Sequence, residues 1–279
     1  MSGAGERAAT KARGTARQAH GSETLDHLAR AGLVAYGVVH LVLGWLAFQL
    51  ALGDREGSTS TSGAIQTLLE QPLGPVIVWA VALGMALLVL WQGLEALLGH
   101  RTHDGVDRVR KRVTSAGKAV VYAVIAVSAA RKAAGDGGGG GERQTDSMTA
   151  QVMGWPGGQL IIGAVGLGIV GVGAALVYKG VTDRFLRDLE AAGATGDTGT
   201  AYTWLGRAGY SAKGVSLGVV GSLFCYAAAT HDAEESGGLD QALRQVLEQP
   251  FGPVLLGAIG VGIACFGVFC FAWARHLSR

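Results

Sequence analysis

The sequence predicts an all-α integral membrane protein with six transmembrane helices, arranged as three tandem helical hairpins. Three observations predict this fold class. The 279 residues are 49% hydrophobic and only 16% charged, whereas soluble domains carry about 25% charged residues. Six stretches of the chain stay apolar for roughly the 20 residues that a membrane-spanning helix needs. A motif at the start of the helices also recurs three times along the chain.

The six apolar stretches are hydrophobic around most of a helical circumference, as expected of helices that face lipid. None alternates in the manner of a transmembrane barrel strand. The predicted spans are Ala31–Leu52, Pro75–Leu98, Ser115–Ala133, Gly158–Tyr178, Gly206–Ala229 and Gly252–Ala274. They divide the chain into a basic tail over residues 1–24, predicted to be disordered, and three repeats over residues 25–100, 108–190 and 202–279.

The repeat is visible at both helices of each hairpin. The first helix opens on an Ala-Gly pair, and the second helix follows a turn that contains proline. The interval from that glycine to the proline is 40, 39 and 41 residues in the three units. Proline is tolerated in the first turn of a helix and the adjoining glycine permits a sharp bend. The turn residues are Pro72 and Gly74 in the first repeat, Pro156 in the second, and Pro250 and Gly252 in the third.

All three units run in the same direction, so the sequence predicts pseudo-threefold symmetry about an axis along the membrane normal. The residues before two of the turns, Gly63–Glu70 and Leu239–Glu248, have helical spacing of apolar side chains. We expect them to form short amphipathic helices on the outer membrane surface. The corresponding helix of the middle unit should be shorter, because few apolar residues precede its turn.

These motifs resemble those of a known family. The triplicated Ala-Gly-x-x-x-(Tyr/Lys)-Gly-Val opening and the Leu-Glu-Gln-Pro-x-Gly-Pro turn are similar to those of the bacterial membrane family called domain of unknown function 1206. The resemblance covers residues 25–275. It implies three two-helix units and a membrane location, and it implies no activity, because that family has no assigned chemistry. The middle repeat departs from the pattern, since it lacks the Leu-Glu-Gln segment.

The distribution of basic residues predicts the orientation. Sixteen Lys and Arg lie in the N-terminal segment, in the loops after the second and fourth spans, and at the C-terminus, against five in the other loops. Basic residues accumulate on the cytoplasmic side of a membrane. We therefore expect a multi-pass protein of the cell membrane with both termini in the cytoplasm.

His40 is the first candidate for a ligand or ion site. It lies ten positions into the first span, about 15 Å at the rise of a helix, which is near the middle of the bilayer. Ionisable groups at that depth are functional candidates. The alternative, which we favour, is a neutral histidine hydrogen-bonded to a carbonyl or hydroxyl group. Its repeat equivalents are Ile125 and Leu217, which excludes a symmetric site of three histidines.

A second candidate group lies near the cytoplasmic rim. Glu95 ends the second span, Lys213 lies about one turn into the fifth, and Tyr36 occupies the repeat position equivalent to Lys213. Glu95 could form an ion pair with Lys213 or with Lys118. Two alternatives stay open, namely that each side chain extends separately to the interface, or that the group binds a substrate or a proton.

Small residues on the fourth and fifth spans predict close helix packing. The segment from Gly166 to Gly171 matches the pattern of a dinucleotide-binding loop, but it lies in the middle of a span with no strand before it. Small side chains instead let the backbones of membrane helices approach each other. The packing residues predicted on this basis are Ala164, Gly168 and Gly171 on the fourth span, and Gly214 and Gly218 on the fifth.

The sequence predicts a non-enzymatic structural or interaction component of the cell envelope, without a cofactor or a bound metal. The alternative is a small channel or carrier with a site near the bundle axis. A third hypothesis, lipid chemistry, would use Glu70 and Glu248 on the outer side. The expected partners are the lipid bilayer, anionic lipid at the cytoplasmic face, and a membrane or envelope protein. A net charge of +2 gives no reason to expect nucleic acid.

Overall fold

A computed structural model describes residues 27, 29–54, 59–98, 105–135, 149–188, 196–236 and 238–276. The predicted disordered tail lies outside the described residues. Within them the chain forms nine α-helices and no strand. These are α1 (Ala29–Ala51), α2 (Thr61–Leu69), α3 (Gly74–Leu98), α4 (Gly105–Ala133), α5 (149–153), α6 (Gly158–Val181), α7 (Gly196–Thr230), α8 (Leu239–Leu247) and α9 (Gly252–Arg275).

Six of these helices are long and apolar enough to cross a membrane, which confirms the predicted fold class. They are α1, α3, α4, α6, α7 and α9, and the protein is therefore a multi-pass membrane protein. We call the end at which α1 begins and α9 ends the terminal face. The opposite end, which carries α2 and α8, is the cap face. The largest differences from the predicted bounds are in α4 and α7, which begin at Gly105 and Gly196, each ten residues before the predicted start of its span.

The three proline turns share one backbone geometry, including the middle turn that lacks Leu-Glu-Gln. The residue after each proline adopts a left-handed conformation, with φ of 65° at Leu73, 76° at Gly157 and 61° at Phe251. The next residue is a glycine whose N–H donates to the carbonyl three residues earlier, at 2.7, 2.9 and 2.7 Å. A side chain on that glycine would collide with the end of the preceding helix. The turn residues thus match in all three units: Pro72 and Gly74, Pro156 and Gly158, Pro250 and Gly252.

The second helix of each unit packs against the first helix of the next unit. The six spans thus form an open ring, because over the described residues α4 and α6 do not pack together. α3 packs on α4, α6 on α7, and α9 on α1. Two of these three interfaces use glycines at equivalent positions, where an added Cβ would collide with the backbone of the opposite helix. Such contacts bring the helix axes close together. The glycines are Gly166, Gly173, Gly214 and Gly221 between α6 and α7, and Gly260, Gly267, Gly37 and Gly44 between α9 and α1.

The predicted packing face of α6 is wrong. Ala164, Gly168 and Gly171 are exposed, and a Cβ added to either glycine would meet nothing within 4 Å. The helix packs instead through Gly166 and Gly173. The physical reason is that α6 carries small residues on two faces, and their spacing alone does not tell which face meets a neighbour.

Of the two glycines predicted to pack on α7, Gly214 lies at a close helix contact and Gly218 does not. A Cβ added to Gly214 would lie 2.6 Å from the Gly173 carbonyl oxygen. A Cβ added to Gly218 would meet nothing within 4 Å, although its backbone nitrogen lies 2.9 Å from the position that a Cβ on Gly173 would take. The two helices therefore approach each other along a stretch without side chains.

The two predicted surface helices are present as α2 and α8 and are held together by a buried carboxylate. Asp240 of α8 is 2% exposed. Its side chain accepts hydrogen bonds from the Thr59 N–H, just before α2, and from the Arg244 Nε at 2.6 Å. On the other side, the Lys132 amine at the end of α4 donates to Gln66 of α2, at 3.2 Å. The cap face thus joins side chains of all three units.

Candidate functional site

The candidate site lies between α1 and α7, on the terminal-face half of the bundle. Tyr36 and His40 are one helical turn apart on α1, so their side chains project from the same face. Lys213 of α7 reaches across the helix interface to both of them. Its amine donates a hydrogen bond to the Tyr36 hydroxyl oxygen and lies 3.1 Å from the His40 Nε2.

The hydrogen bonds determine the tautomer of His40. The Nδ1 atom lies 2.9 Å from the Tyr36 carbonyl oxygen, one turn earlier in the same helix. A carbonyl oxygen can only accept, so Nδ1 carries the proton. In the neutral ring Nε2 is then an acceptor, which matches the Lys213 ammonium as donor. His40 is 7% exposed, and both of its nitrogen atoms have partners.

Aromatic rings surround the Lys213 amine. Its Nζ lies 4.2 Å from the centroid of the Phe266 ring and 4.5 Å from that of Tyr36. A cation over the face of a ring is stabilised, and more so where water is scarce. The Tyr36 ring in turn lies edge-on to Tyr122 of α4, with centroids 5.2 Å apart. Among the side chains that the structure describes, no carboxylate contacts this amine.

The aromatic packing continues from the site toward the terminal face. Phe266 lies edge-on to Tyr210 at 5.2 Å, and Tyr210 stacks on Phe185 at 5.4 Å. Phe185 is fully buried and belongs to a short 3₁₀ helix, Arg184–Asp188, which follows α6. A Cβ on Gly206 would collide with its ring. The aromatic side chains therefore fill the space where α1, α7 and α9 meet.

The sequence did not predict a role for Phe185. It lies among basic residues in a connection that reads as a solvent-exposed loop, and a single phenylalanine there gives no signal of burial. Tyr122 and Phe266 were also missed, because an aromatic residue inside an apolar span is ordinary in sequence. Only the approach of helices distant in the chain brings these rings together.

Three of the four residues predicted for a ligand or ion site meet in the structure. Tyr36, His40 and Lys213 form one group, although the sequence placed His40 apart from the other two. The side chain of Glu95 lies outside the described residues, so its predicted pairing with Lys213 or Lys118 stays a prediction. The residues proposed for lipid chemistry, Glu70 and Glu248, are exposed at the ends of α2 and α8.

An ion pair lies farther toward the terminal face. The Arg207 guanidinium donates two hydrogen bonds to the Asp183 carboxylate, from Nε at 2.7 Å and from Nη2 at 2.6 Å. These hydrogen bonds stabilise the ionised carboxylate and hold the pKa of Asp183 below its usual value. Asp183 follows α6 in a left-handed conformation, with φ of 56°. The ion pair connects the segment that follows α6 with the first part of the membrane span in α7.

A comparison of the sequence with known protein families divides the chain into the same three helical hairpins. The family model described as Domain of Unknown Function (DUF1206) matches residues 31–99, 113–183 and 208–276, which is one match for each hairpin. The chain belongs to this family. A relative from Bacillus subtilis (strain 168), named "Uncharacterized protein YxxB", is 30% identical over 246 residues, or 88% of each chain. No solved structure matches the chain.

The candidate site breaks the symmetry of the DUF1206 repeats. Tyr36 and Lys213 occupy the same position in the first and third matched segments, five residues after Ala31 and Ala208. The same position in the second segment is Val121. A phenol and an amine from equivalent positions thus face each other across the interface between α1 and α7. The group can donate hydrogen bonds to an anion or pass a proton between the amine and the imidazole.

Proposed function

We propose that this protein is a non-enzymatic structural or interaction component of the bacterial cell envelope. The observation that carries the proposal is the packed centre of the bundle. Tyr36, Phe266, Tyr210 and Phe185 follow one another in contact from the middle of the membrane to the terminal face. Close aromatic packing of this kind supports a fixed scaffold rather than a path for solutes.

The orientation that we propose places the terminal face in the cytoplasm and the protein in the cell membrane. The basic side chains at the ends of the spans support it, among them Arg112, Arg207 and Arg275, which all lie toward the terminal face. Positive charge of this kind is retained on the cytoplasmic side. The cap face would then project outward.

The construction of the cap face supports a role in interaction. Asp240 of α8 accepts a hydrogen bond from the Thr59 N–H before α2, and Gln66 of α2 accepts one from Lys132 of α4. Polar side chains such as Glu70, Gln245 and Glu248 remain exposed on these helices. A rigid surface loses little conformational freedom on binding, which favours association with a membrane or envelope protein.

A second candidate function, a carrier of small solutes or ions, rests on the Lys213 amine. It lies within a membrane span in contact with Tyr36 and His40, and intramembrane amines often belong to substrate or proton pathways. The packed rings next to it favour the scaffold, so a carrier would require movement of Phe266 or Tyr210.

Flux measurements on proteoliposomes test both functions. The purified full-length chain is reconstituted, and the flux of protons, chloride, phosphate and potassium is compared with that of empty liposomes. The scaffold predicts no added flux for any of these ions. Flux that Lys213→Met abolishes and Lys132→Met leaves unchanged would establish the carrier and contradict the scaffold. Lys132 is a suitable control because it lies at the cap end of α4, in contact with Gln66.

Photo-cross-linking in intact cells tests the interaction surface directly. A photoreactive amino acid replaces Gln245 on the cap face or, as a control, Trp204, which is 65% exposed near the terminal face. The proposal predicts one adduct of defined mass from the cap position and none from the control. Adducts of the same mass and yield from both positions would contradict a specific partner at the cap face.

A further inference from the structure

The Lys213 ammonium carries a positive charge inside a membrane span, and the groups that contact it are neutral. It donates to the Tyr36 hydroxyl oxygen and to the His40 Nε2, and it lies over the rings of Tyr36 and Phe266. The His40 ring is neutral, because its Nε2 accepts this hydrogen bond. Aromatic faces stabilise a cation away from water but supply no negative charge. Among the side chains that the structure describes, none therefore neutralises the charge of Lys213.

The Tyr36 hydroxyl group is a second feature that calls for a ligand. An ammonium group has no lone pair, so the Tyr36 oxygen accepts from Lys213 and its own hydrogen has to be donated elsewhere. Within the described ranges no group accepts that hydrogen, although Tyr36 is only 7% exposed. A buried donor that loses water on folding without gaining an acceptor is unfavourable.

A further donor lies on the atom next to this hydroxyl group. The Lys213 ammonium has three N–H groups, and its hydrogen bonds to Tyr36 and His40 use two of them. The third N–H and the Tyr36 O–H can therefore converge on one acceptor. A water molecule would accept both hydrogen bonds but would leave the charge of Lys213 in place. An anion would accept both and would also offset that charge.

The surroundings of the amine limit the size of such an anion. The Nζ atom lies 3.1 Å from the His40 Nε2, 4.2 Å from the centroid of the Phe266 ring and 4.5 Å from that of Tyr36. Phosphate or a carboxylate substrate would require these groups to move. The Lys213 side chain is nevertheless partly exposed, so it is not covered on every side. The geometry thus favours a monatomic anion, and chloride is the common one.

We propose that Lys213 and Tyr36 bind a chloride ion at the interface between α1 and α7. The ion accepts hydrogen bonds from the third N–H of Lys213 and from the Tyr36 O–H, while His40 holds the amine in position as an acceptor. One ion is expected for each chain, because the equivalent position of the middle unit is Val121. The inference goes beyond the scaffold proposal and does not depend on it, since a bound ion need not cross the membrane.

Binding of radioactive chloride to the purified protein tests the site. The full-length chain is purified in detergent with gluconate in place of chloride, and bound chloride is measured by scintillation proximity. The wild type should bind one chloride per chain, and Lys213→Met should abolish the binding. Lys132→Met is the control and should leave it unchanged, because Lys132 lies at the cap end of α4. No saturable binding by the wild type, or equal binding by Lys213→Met, would overturn the proposal.

Tyr36→Phe tests the second donor without changing the charge. The substitution keeps the ring that packs against Tyr122 and Phe266 and removes only the hydroxyl group. It should weaken chloride binding about tenfold, the effect of one hydrogen bond to a charged partner. Tyr226→Phe is the matched control, because Tyr226 is 53% exposed near the cap end of α7. Equal affinities of the wild type and Tyr36→Phe would overturn the two-donor site.

Thermal unfolding gives a second measurement, which remains decisive if Lys213→Met fails to fold. A ligand that binds only the folded state raises the melting temperature. The wild type should melt at a higher temperature in chloride than in gluconate at equal ionic strength, and Tyr36→Phe should need about tenfold more chloride for the same rise. Equal melting temperatures of the wild type in the two salts would contradict the proposal. Neither measurement uses a membrane, so both are independent of the flux experiment that tests the scaffold.

Discussion

The amine of Lys213 lies 3.1 Å from the Nε2 of His40, although the two residues are separated by 173 positions in the chain. The contact exists because the third unit of the ring returns to the first, so that α7 and α9 both lie against α1. It gives an ionisable group inside the membrane two polar partners, Tyr36 and His40, and two aromatic faces. A test of the contacts among Lys213, Tyr36 and His40 is therefore also a test of the packing of the third unit against the first.

The Lys213–His40 contact predicts energetic coupling in a double-mutant cycle. Lys213→Met removes the donor and His40→Leu removes the acceptor. The two substitutions should be non-additive by about 0.5–3 kcal/mol in the free energy of unfolding, as for residues in one hydrogen-bonded network. The measurement is unfolding in mixed detergent micelles. Pairing His40→Leu with Lys132→Met is the control, and it should be additive. Additivity of Lys213→Met and His40→Leu would contradict the contact.

The two faces of α6 predict opposite effects of glycine substitution. Gly173→Ala inserts a methyl group 2.6 Å from the Gly214 carbonyl oxygen and should cost about 1–3 kcal/mol of stability through overpacking. Gly168→Ala on the open face should be neutral or stabilising, because alanine is the better helix former by about 1 kcal/mol. The melting temperatures of the two variants, measured in the same detergent, test which face of α6 is packed. If Gly168→Ala is the more damaging of the two, the packing face of α6 is misplaced.

Much of the fold could be predicted from the sequence, because length and apolarity determine a membrane span without knowledge of its neighbours. The spans, the three turns and the helices α2 and α8 follow from such local patterns. The packing face of α6 could not be predicted, since Gly166 and Gly168 are equally small and only the position of α7 distinguishes them. The candidate site could not be predicted either, for the same reason. Lys213 and His40 were each noticed as polar residues in a span, but their contact depends on which helices become neighbours in the ring.

The buried carboxylate of Asp240 predicts an effect on the stability of the cap-face segments. Asp240→Ala removes the acceptor of the Thr59 N–H and one hydrogen-bond acceptor of the Arg244 guanidinium. The expected loss is about 1–3 kcal/mol, the cost of leaving a buried donor without an acceptor. Hydrogen–deuterium exchange should show faster exchange at the Thr59 amide. Glu248→Ala, at an exposed position at the end of α8, is the control and should leave that amide unchanged. An unaltered Thr59 amide in Asp240→Ala would contradict the connection between α2 and α8.

The Arg207–Asp183 pair predicts a dependence of stability on pH. The pKa of Asp183 is lower in the folded protein than in the unfolded chain, because Arg207 donates to the ionised carboxylate. Its contribution to stability is therefore fully present above the unfolded pKa, about 3.9, and is lost as the pH falls through the lower folded value. Between pH 6 and pH 3 the melting temperature of the wild type should fall more steeply than that of Asp183→Asn.

Asparagine suits this test because it tolerates the left-handed conformation of residue 183 at least as well as aspartate does. The pair is partly exposed, so its contribution to stability at neutral pH should be small. Identical slopes of melting temperature against pH for the wild type and Asp183→Asn would show that the ion pair adds nothing to stability.

The account depends most on the arrangement of the six spans as a ring that is open only between α4 and α6. Electron cryomicroscopy of the full-length chain in nanodiscs that contain phosphatidylglycerol tests it most directly. The predicted map shows α9 against α1 through Gly267 and Gly37, and α4 separated from α6. It also shows the Lys213 side chain in contact with Tyr36 and His40. A map in which Gly168 packs against α4, or in which α9 lies away from α1, would contradict the account.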